Sequence, residues 1–287
     1  MTMNEINYIL VAVLTLGGVA LLAAVVLYVV SRRFAVSEDP RIKTVQECLP
    51  GANCGGCGFA GCAALAEALV KGADAGQTEG LRCPVGGDVA MGRIAEVLGI
   101  SQQAAEPMVA VVRCSGTCAN RVQTAVYDGL RTCAAVNAAG AGETGCGYGC
   151  LGCGDCVGAC QFGGISINSE TGLPEIDESL CTGCGGCAKA CPRHVIELRR
   201  RGPKGRRVYV SCVNHDRGPV ARKSCQAACI GCGKCERVCP FGAITVSGNL
   251  SYIDYTKCRM CTKCVAECPT GAIVKVNFPI KKKEAEA

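Results

Sequence analysis

The stretch Cys146-Gly-Tyr-Gly-Cys150-Leu-Gly-Cys153-Gly-Asp-Cys156-Val-Gly-Ala-Cys160 ends in four cysteines spaced C-x2-C-x2-C-x3-C, and this spacing decides the fold. Three more runs with the same spacing follow it along the chain. The four runs are Cys150-Cys153-Cys156-Cys160, Cys181-Cys184-Cys187-Cys191, Cys229-Cys232-Cys235-Cys239 and Cys258-Cys261-Cys264-Cys268. Thiols repeated in this way indicate that the C-terminal half of the chain folds around bound metal.

The spacing is that of bacterial ferredoxins, in which the first three cysteines of a run hold one [4Fe-4S] cluster. The fourth cysteine ligates the cluster of a partner run, so the runs work in pairs. Two pairs predict four clusters. The predicted ligand sets are Cys150, Cys153, Cys156 and Cys191; Cys160, Cys181, Cys184 and Cys187; Cys229, Cys232, Cys235 and Cys268; and Cys239, Cys258, Cys261 and Cys264.

The two pairs of runs belong to an internal repeat with a shift of 79 residues. Such a repeat indicates one supersecondary unit used twice. Each unit is predicted to run from a cluster loop through a strand, a turn and a second strand to a second cluster loop. The predicted strands are Ile165–Ile167 and Glu175–Asp177 in the first unit, and Ile244–Val246 and Tyr252–Asp254 in the second. The repeated cysteines are Cys133, Cys146, Cys150, Cys153, Cys156 and Cys160, which recur at Cys212, Cys225, Cys229, Cys232, Cys235 and Cys239.

Composition excludes several other classes of protein. The chain has 287 residues, 27 cysteines and a formal net charge of +6. An odd cysteine count with metal-type spacing argues against a disulfide scaffold, and paired runs of four argue against zinc knuckles. Basic residues are not interleaved with aromatic ones, so we expect no nucleic-acid binding. No dinucleotide fingerprint follows a strand, so we expect no direct NAD binding.

The segment from Tyr8 to Val30 has 23 residues without a charge. As a helix it would be about 34 Å long, which is enough to cross a membrane. A basic region before it and a cleavage site after it, both typical of a signal peptide, are missing. Arg32 and Arg33 follow directly, so the positive-inside rule predicts an N-terminus outside and the rest of the chain on the cytoplasmic side of the inner membrane.

A second cysteine group precedes the runs. Cys54, Cys57, Cys62 and Cys83 can close one more [4Fe-4S] cluster, although their spacing alone also fits zinc. Two helices are predicted beside them. The first, 63–71, would end at Gly72, and the second, 89–98, would have Asp88 as its N-cap.

The connector at 106–140 is harder to interpret. Cys114, Cys118, Cys133 and Cys146 could hold one further cluster, or they could be structural thiols. Cys212 and Cys225 have no assigned role, and Cys48 is interpreted as a structural thiol. A buried strand is predicted at 109–113. Strands at 195–199 and 208–211 are predicted to pair with each other across a basic loop.

These features predict an α+β fold with one transmembrane helix, a small helical four-cysteine domain and two tandem 2[4Fe-4S] ferredoxin-like modules. The predicted divisions are an anchor at 1–30, a linker at 31–44, the four-cysteine domain at 45–105, the connector at 106–140, modules at 141–207 and 208–280, and a tail at 281–287. Five clusters are predicted, and a sixth is left open.

This assembly resembles the B subunits of Rnf complexes, which are also called electron transport complexes. The resemblance covers nearly the whole chain. The residues that carry it are the motif Leu49-Pro-Gly-Ala-Asn-Cys54-Gly-Gly-Cys57-Gly-Phe-Ala-Gly-Cys62 with Cys83, and the segments Arg113-Cys-Ser-Gly116, Gly149-Cys-Leu-Gly152, Gly154-Asp-Cys-Val157 and Val210-Ser-Cys-Val-Asn214. Many longer relatives have an apolar residue where this chain has Cys153. The resemblance therefore implies Cys146 as the remaining ligand beside Cys150, Cys156 and Cys191, whereas the repeat favours Cys153.

The resemblance also implies a function. An Rnf complex oxidises reduced ferredoxin, reduces NAD+ and moves Na+ or H+ across the membrane. The B subunit would take electrons from soluble ferredoxin and pass them to partner Rnf subunits that carry flavins and the nicotinamide site. One hypothesis is that the basic loop from Arg199 to Arg207 helps dock acidic ferredoxin; the alternative is a solvated loop or a loop that faces anionic lipid. The alternative is a ferredoxin-type subunit of another membrane redox enzyme, such as a hydrogenase or a formate dehydrogenase.

Overall fold

The computed structural model describes residues 3–33, 39–101, 106–140 and 142–279. They divide into two compact units, Met1–Ile42 and Lys43–Ala287. Helices and short strands are mixed along the second unit, which confirms the predicted α+β class. The predicted tail at 281–287 lies outside the described residues.

The first unit consists mainly of helix α1 (Met3–Arg33). Its stretch Val13–Arg33 is long and apolar enough to cross a membrane, and none of it is buried within the protein. Side chains such as Leu14, Leu16 and Leu21 are about 70% exposed. A helix that exposes apolar side chains all round is stable in lipid rather than in water. The helix therefore agrees with the predicted membrane association.

The four-cysteine domain contains helices α2 (Pro40–Cys48), α3 (Cys62–Ala75) and α4 (Gly87–Leu98). Leu65, Leu69 and Ile94 are fully buried and form its core. The predicted end of α3 at Gly72 is wrong. Gly72 lies inside the helix, where a Cβ atom would be 2.7 Å from the Gln77 carbonyl oxygen, so glycine is required for packing and not for termination.

The helix α3 ends instead at Gly76, whose left-handed backbone (φ 66°) caps it. The predicted N-cap role of Asp88 is also wrong. Helix α4 begins at Gly87, one residue earlier, and Asp88 lies in its first turn. There the Asp88 carboxylate accepts a hydrogen bond from Arg82 at 2.6 Å.

The rest of the second unit contains eight short strands, six short α-helices and one 3-10 helix (Pro203–Gly205) in the residues that the structure describes. The strands are β1 (Met108–Val112), β2 (Ile165–Ile167), β3 (Pro174–Ile176), β4 (Ile196–Arg200), β5 (Arg207–Val210), β6 (Ile244–Ser247), β7 (Leu250–Ile253) and β8 (Ile273–Val276). The helices are α5 (Cys133–Ala139), α6 (Asp155–Gly158), α7 (Gly186–Ala190), α8 (Gly218–Ser224), α9 (Lys234–Val238) and α10 (Lys263–Ala266).

The strands form four antiparallel pairs, β1–β4, β2–β3, β5–β8 and β6–β7. The pairs β2–β3 and β6–β7 are the two hairpins that the repeat predicted. The predicted pairing of 195–199 with 208–211 is wrong. Val109 of β1 lies opposite Arg199 of β4, and Val210 of β5 lies opposite Ile273 of β8.

Each repeat therefore closes its own outer sheet, formed by the strand before its first cluster loop and the strand after its second. The connector is part of this arrangement, because its strand β1 supplies one edge of the first outer sheet. Two cysteines then occupy matching places. Cys114 comes just after β1, and Cys212 comes just after β5.

Polar contacts join the two repeats. The Arg113 side chain donates to the carbonyl oxygens of Val210 and Cys212, each at 3.3 Å. On the other side, Arg207 and Asn277 donate to the carboxylate of Glu178. The ends of β1 and β5 are thereby held against each other, which places the two cysteines that follow them at one interface.

Candidate iron–sulfur centres

The four cluster loops share one backbone conformation. In each loop the two residues on either side of the second cysteine have a positive φ. They are Gly152 and Gly154, Gly183 and Gly185, Gly231 and Gly233, and Met260 and Thr262. A positive φ at these places turns successive N–H groups towards the inside of the loop, where they can donate to sulfur.

In the second repeat the loops bring together the cysteines of both predicted sets. Cys229, Cys232, Cys235 and Cys268 line one cavity. The Cys235 Sγ atom is 3.2 Å from the Ser251 hydroxyl oxygen.

For the other set, burial raises the pKa of Cys264 to about 12, with Cys258, Cys261 and Cys239 among the neighbouring thiols that add to the shift. These are the partners that the spacing predicts. A hydrogen bond from the Met260 N–H to the Cys258 Sγ atom, 3.4 Å long, matches the inward N–H groups of the loop.

Two further predicted sets show the same convergence. Burial raises the pKa of Cys187 to about 11, and the thiols of Cys181, Cys184 and Cys160 lie close enough to contribute. In the four-cysteine domain, burial raises the pKa of Cys83, with contributions from Cys62 and Cys57.

Side-chain and backbone groups position the thiols of the four-cysteine domain. The Asn53 carboxamide oxygen accepts from the N–H of Cys62 at 2.8 Å and holds the start of α3. The N–H of Gly86 donates to the Cys83 Sγ atom at 3.2 Å.

At the first loop of the first repeat, a cysteine from outside the predicted set lines the cavity. One cavity is lined by Cys150, Cys156, Cys191 and Cys133, whereas Cys146 does not line it. Cys153 lies beside Cys133. Burial raises the pKa of Cys153 to about 11, and the neighbouring Cys133 thiol adds to this shift. Cys133 begins α5, and its N–H donates to the Asp155 carboxylate at 2.8 Å.

Sequence reasoning missed the place of Cys133, since the 79-residue shift matched it with Cys212. The available signal was topological. Cys212 directly follows an edge strand, and the cysteine that follows the equivalent strand is Cys114.

A separate cavity lies between the two repeats, and five cysteines line it. One of them, Cys150, also lines the cavity of the first loop. The other four are Cys114, Cys146, Cys212 and Cys225. We call this group the inter-repeat set. Of the four ligands predicted for an extra cluster, only Cys114 and Cys146 belong to the inter-repeat set. Cys118 is exposed, with its Sγ atom 4.0 Å from the Arg121 guanidinium, and Cys133 lines the other cavity.

Each thiol of the inter-repeat set meets an N–H donor. Gly116 donates to Cys114 at 3.4 Å, and Gly149 donates to Cys146 at 3.3 Å. The buried Asn214 serves both repeats, because its backbone N–H points to Cys212 and its side chain to Cys146, each at 3.5 Å.

The Cys225 thiol receives a backbone N–H from Ala227. Donors of this kind tune bound iron–sulfur clusters.

The chemistry of these sites suits clustered iron. Burial raises the pKa of Cys150 to about 12 and that of Cys212 to about 11, so these thiols need a nearby cation to ionise. Iron supplies that charge. Throughout the part of the chain that the structure describes, no three ligating side chains converge on the point that a single ion would occupy. The thiols surround cavities instead.

Neighbouring sets also contact one another within each repeat. Burial is the main cause of the raised pKa of Cys187, and the Cys156 thiol of the other set adds to it. The two sets of the first repeat are therefore adjacent. Cys235 has the same relation to Cys264 in the second repeat.

The four-cysteine domain contacts the first repeat through Gly56, where a Cβ atom would lie 2.7 Å from the Cys184 carbonyl oxygen. In the same interface, the Lys189 ammonium donates to the Gly55 carbonyl at 3.0 Å.

The inter-repeat set adjoins both repeats. The N–H of Cys150 is 3.5 Å from the Cys114 Sγ atom. On the other side, the backbone N–H of Cys229 donates to the Cys212 thiol. The cysteine sets therefore form one unbroken series from the four-cysteine domain to the last loop of the chain.

Family models agree with this arrangement. Residues 49–77 match the model described as a putative Fe-S cluster. Models for a 4Fe-4S dicluster domain match residues 149–196, 180–243 and 228–272. Fold and site together define a ferredoxin-type iron–sulfur electron-transfer protein with a candidate membrane-spanning helix.

Curated relatives narrow the class further. The chain is 44% identical over 88% of its length to the B subunit of the Na(+)-translocating ferredoxin:NAD(+) oxidoreductase complex of Acetobacterium woodii, covering 74% of that protein. It is 43% identical over 89% of its length to the proton-translocating counterpart of Clostridium ljungdahlii, covering 87% of it. It is 42% identical over 86% of its length to the B subunit of the ion-translocating oxidoreductase complex of Methanosarcina acetivorans, covering 90% of it. The chain belongs to this family, the B subunits of Rnf complexes.

Proposed function

We propose that this chain is the membrane-bound electron-transfer subunit of an ion-translocating ferredoxin:NAD+ oxidoreductase complex. It takes electrons from reduced ferredoxin and relays them to partner subunits that carry flavins and the nicotinamide site. The observation that carries the proposal is the unbroken series of cysteine sets in a chain whose relatives bear these names. A subunit of a hydrogenase or a formate dehydrogenase would not account for relatives of this kind over almost the whole chain.

Five clusters follow from the predicted sets, with one change. We assign Cys133 in place of Cys153 as the fourth ligand beside Cys150, Cys156 and Cys191, because Cys133 lines their cavity. Cys146 is not assigned there, because it does not line that cavity and lines the inter-repeat cavity instead. The other four sets are Cys54, Cys57, Cys62 and Cys83; Cys160, Cys181, Cys184 and Cys187; Cys229, Cys232, Cys235 and Cys268; and Cys239, Cys258, Cys261 and Cys264.

We assign a sixth cluster to the inter-repeat set. Each repeat contributes one cysteine that follows its outer strand, Cys114 or Cys212, and one that precedes its first loop by four residues, Cys146 or Cys225. Neither repeat alone has four free ligands at this place, which is why the sequence of one repeat does not reveal the site. A cluster here would connect two modules that otherwise lack a shared centre.

When bound, a [4Fe-4S] cluster supplies a one-electron site whose potential depends on nearby charge, N–H···S bonds and exposure. The chain controls each of these conditions. Positive-φ loop residues aim N–H groups at the sulfur atoms, and apolar side chains such as Ile165 and Ile244 exclude water. In the inter-repeat cavity, the Arg121 guanidinium adds a positive charge to the lining.

The sidedness of the membrane helix stays a prediction from Arg32 and Arg33, which place the clusters on the cytoplasmic side. Docking of ferredoxin on the basic loop also stays a prediction. Exposed Lys204 and Arg200 would supply the contacts, because Arg199 and Arg207 are buried.

The proposed function is tested by mixing the anaerobically purified complex with reduced ferredoxin and following the visible absorbance of its clusters. We expect rapid bleaching of the chain's clusters, followed by NAD+ reduction when NAD+ is added. Clusters that stay oxidised in the presence of reduced ferredoxin would contradict the proposal.

A further inference from the structure

A cavity of about 320 Å³ lies at the end of the cysteine series, beside Cys258. Its volume is at the lower end of the range of about 300–1,000 Å³ that is typical of small-molecule sites. We call it the arginine cavity. Six arginines line it: Arg199, Arg200, Arg201, Arg206, Arg207 and Arg259.

Several individual N–H groups of these guanidinium side chains are buried without an acceptor among the described residues. Arg199 is only 1% exposed, and its Nη1 and Nη2 atoms have no hydrogen-bond acceptor among the described residues. The Nε atoms of Arg206 and Arg207 are also buried without a hydrogen-bond acceptor among the described residues. Leaving a buried charged donor unsatisfied is costly, so these groups indicate a missing acceptor.

The neighbours of Arg199 do not supply that acceptor. Its Nε atom is paired with Glu197, and the rings of Tyr252, Tyr209 and Tyr255 lie 5.2–5.8 Å from its guanidinium carbon. Aromatic rings stabilise the charge but leave the in-plane N–H groups free to bind an oxyanion.

Charge in the cavity is strongly unbalanced. Glu106 is the only carboxylate among the described lining residues, and it pairs with Arg200. From behind the lining, Glu197 pairs with Arg199, and Glu178 pairs with Arg207. Three carboxylates therefore oppose six arginines, and the surplus of positive charge faces the cavity.

We propose that the arginine cavity binds a small ligand that carries two or more phosphate groups. Planar guanidinium groups bind phosphate oxygens with paired hydrogen bonds, and several that converge on one cavity favour a polyphosphate over a single oxyanion. Because Cys258 also lines the cavity, the ligand would place negative charge next to the cluster assigned to Cys239, Cys258, Cys261 and Cys264. Its binding would lower the potential of that cluster and so regulate the last step of the series.

The probe is pyrophosphate, added to the purified cluster-loaded complex at constant ionic strength and followed by isothermal titration calorimetry. We expect saturable binding with one site per chain, tighter than that of orthophosphate. ADP and a soluble short-chain cardiolipin, each with two phosphates, form two further arms. The tighter of them identifies a nucleotide or a lipid headgroup as the source of the phosphates. An acidic peptide is the comparison for a protein partner.

Two variants locate the site. Arg206→Gln and Arg259→Gln should each weaken pyrophosphate binding by about tenfold, because each removes one charge-assisted contact. Arg222→Gln on the exposed face of α8 makes the same change in charge away from the cavity and should leave binding unchanged. Unchanged iron content in all three shows that the fold is intact.

A second readout is the potential of the cluster beside the cavity, from an EPR-monitored redox titration. Saturating pyrophosphate should lower it in the wild-type protein and not in Arg206→Gln. The proposal is overturned if pyrophosphate does not saturate, if only the acidic peptide binds, or if Arg222→Gln weakens binding as much as Arg206→Gln. None of these results would affect electron transfer from ferredoxin, which is tested separately.

Discussion

Asn214 shows how one residue joins the two halves of the site. It is 1% exposed, and its amide groups reach Cys212 from its own repeat and Cys146 from the other. Its carboxamide oxygen accepts from the N–H of Asp216 at 2.6 Å, which fixes the orientation of the side chain. Nothing in the spacing of the cysteines could have predicted this role, because Asn214 matters only once the repeats are folded together.

The inter-repeat set gives a prediction at the level of single thiols. Cys212→Ser should remove one cluster, about four iron atoms per chain, because its side chain lines the cavity. Cys118→Ser is the matched control and should retain all the iron, since Cys118 is exposed outside the cavity. Iron analysis with EPR of the reduced protein measures both. Loss of iron from Cys118→Ser alone would favour the set predicted from sequence.

Cys133 and Cys153 give a second prediction. Cys133→Ser should lose the cluster that Cys150, Cys156 and Cys191 share, whereas Cys153→Ser should keep it with an unchanged EPR spectrum. The reason is that Cys133 lines the cavity and Cys153 lies beside it. The opposite pattern would restore Cys153 as the ligand, as the repeat suggested.

At the level of elements, local features were predictable and long-range pairings were not. The loops and the two inner hairpins follow from cysteine spacing and alternation within a few residues. The outer pairs β1–β4 and β5–β8 join strands that are far apart in sequence. No turn sequence directly connects the two strands of either pair, so the sequence does not indicate which strands pair. The predicted pairing of β4 with β5 was wrong because the basic segment between them resembles a hairpin loop in sequence. In the structure β4 pairs within the first repeat and β5 pairs within the second.

Glu178 is expected to stabilise the contact between the repeats. It accepts from Arg207 and Asn277, and its side chain is 28% exposed. Glu178→Gln should cost about 1.5–3 kcal/mol, which is the range for hydrogen bonds to a charged group. The temperature at which cluster absorbance is lost should fall by roughly 3–12 °C.

The same contact has a defined pH dependence. Hydrogen bonds from Arg207 lower the pKa of Glu178 below its usual 4.5, so the carboxylate stays ionised and its stabilisation is lost only in more acidic solution. The difference between wild type and Glu178→Gln should therefore stay constant from about pH 8 to about pH 5. A difference that disappears within this range would contradict the assignment.

The loop of the four-cysteine domain is expected to be sensitive to added volume. In Gly56→Ala the new Cβ atom would lie 2.7 Å from the Cys184 carbonyl oxygen, so the two loops must separate. Hydrogen–deuterium exchange in segments 54–62 and 181–187 should increase. Gly158→Ala is the control, because no atom lies within 4 Å of its added Cβ. Equal exchange in both variants would show that the loops do not pack as described.

At the scale of the whole molecule, two repeats and a four-cysteine domain form one series of thiol sets. The class of protein, four of the sets and three ligands of a fifth could be proposed from the sequence, because these ligands lie in one or two loops. Cys133, the fourth ligand assigned to the fifth set, lies outside those loops. The sixth set could not be proposed, because its four cysteines come from two repeats and meet only through the interface that Arg113 and Glu178 stabilise. The arginine cavity could not be predicted from the sequence either, because most of its arginines lie in a segment that the sequence suggests is an exposed basic loop.

Iron and acid-labile sulfide analysis of the anaerobically purified wild-type chain tests the central claim most directly. A series of six cubes requires about 24 iron and 24 sulfide per chain, because each cluster holds four of each. About 20 of each would mean that the inter-repeat set is empty and that the series is broken between the repeats. Zinc in place of iron would contradict the account of this chain as an electron carrier.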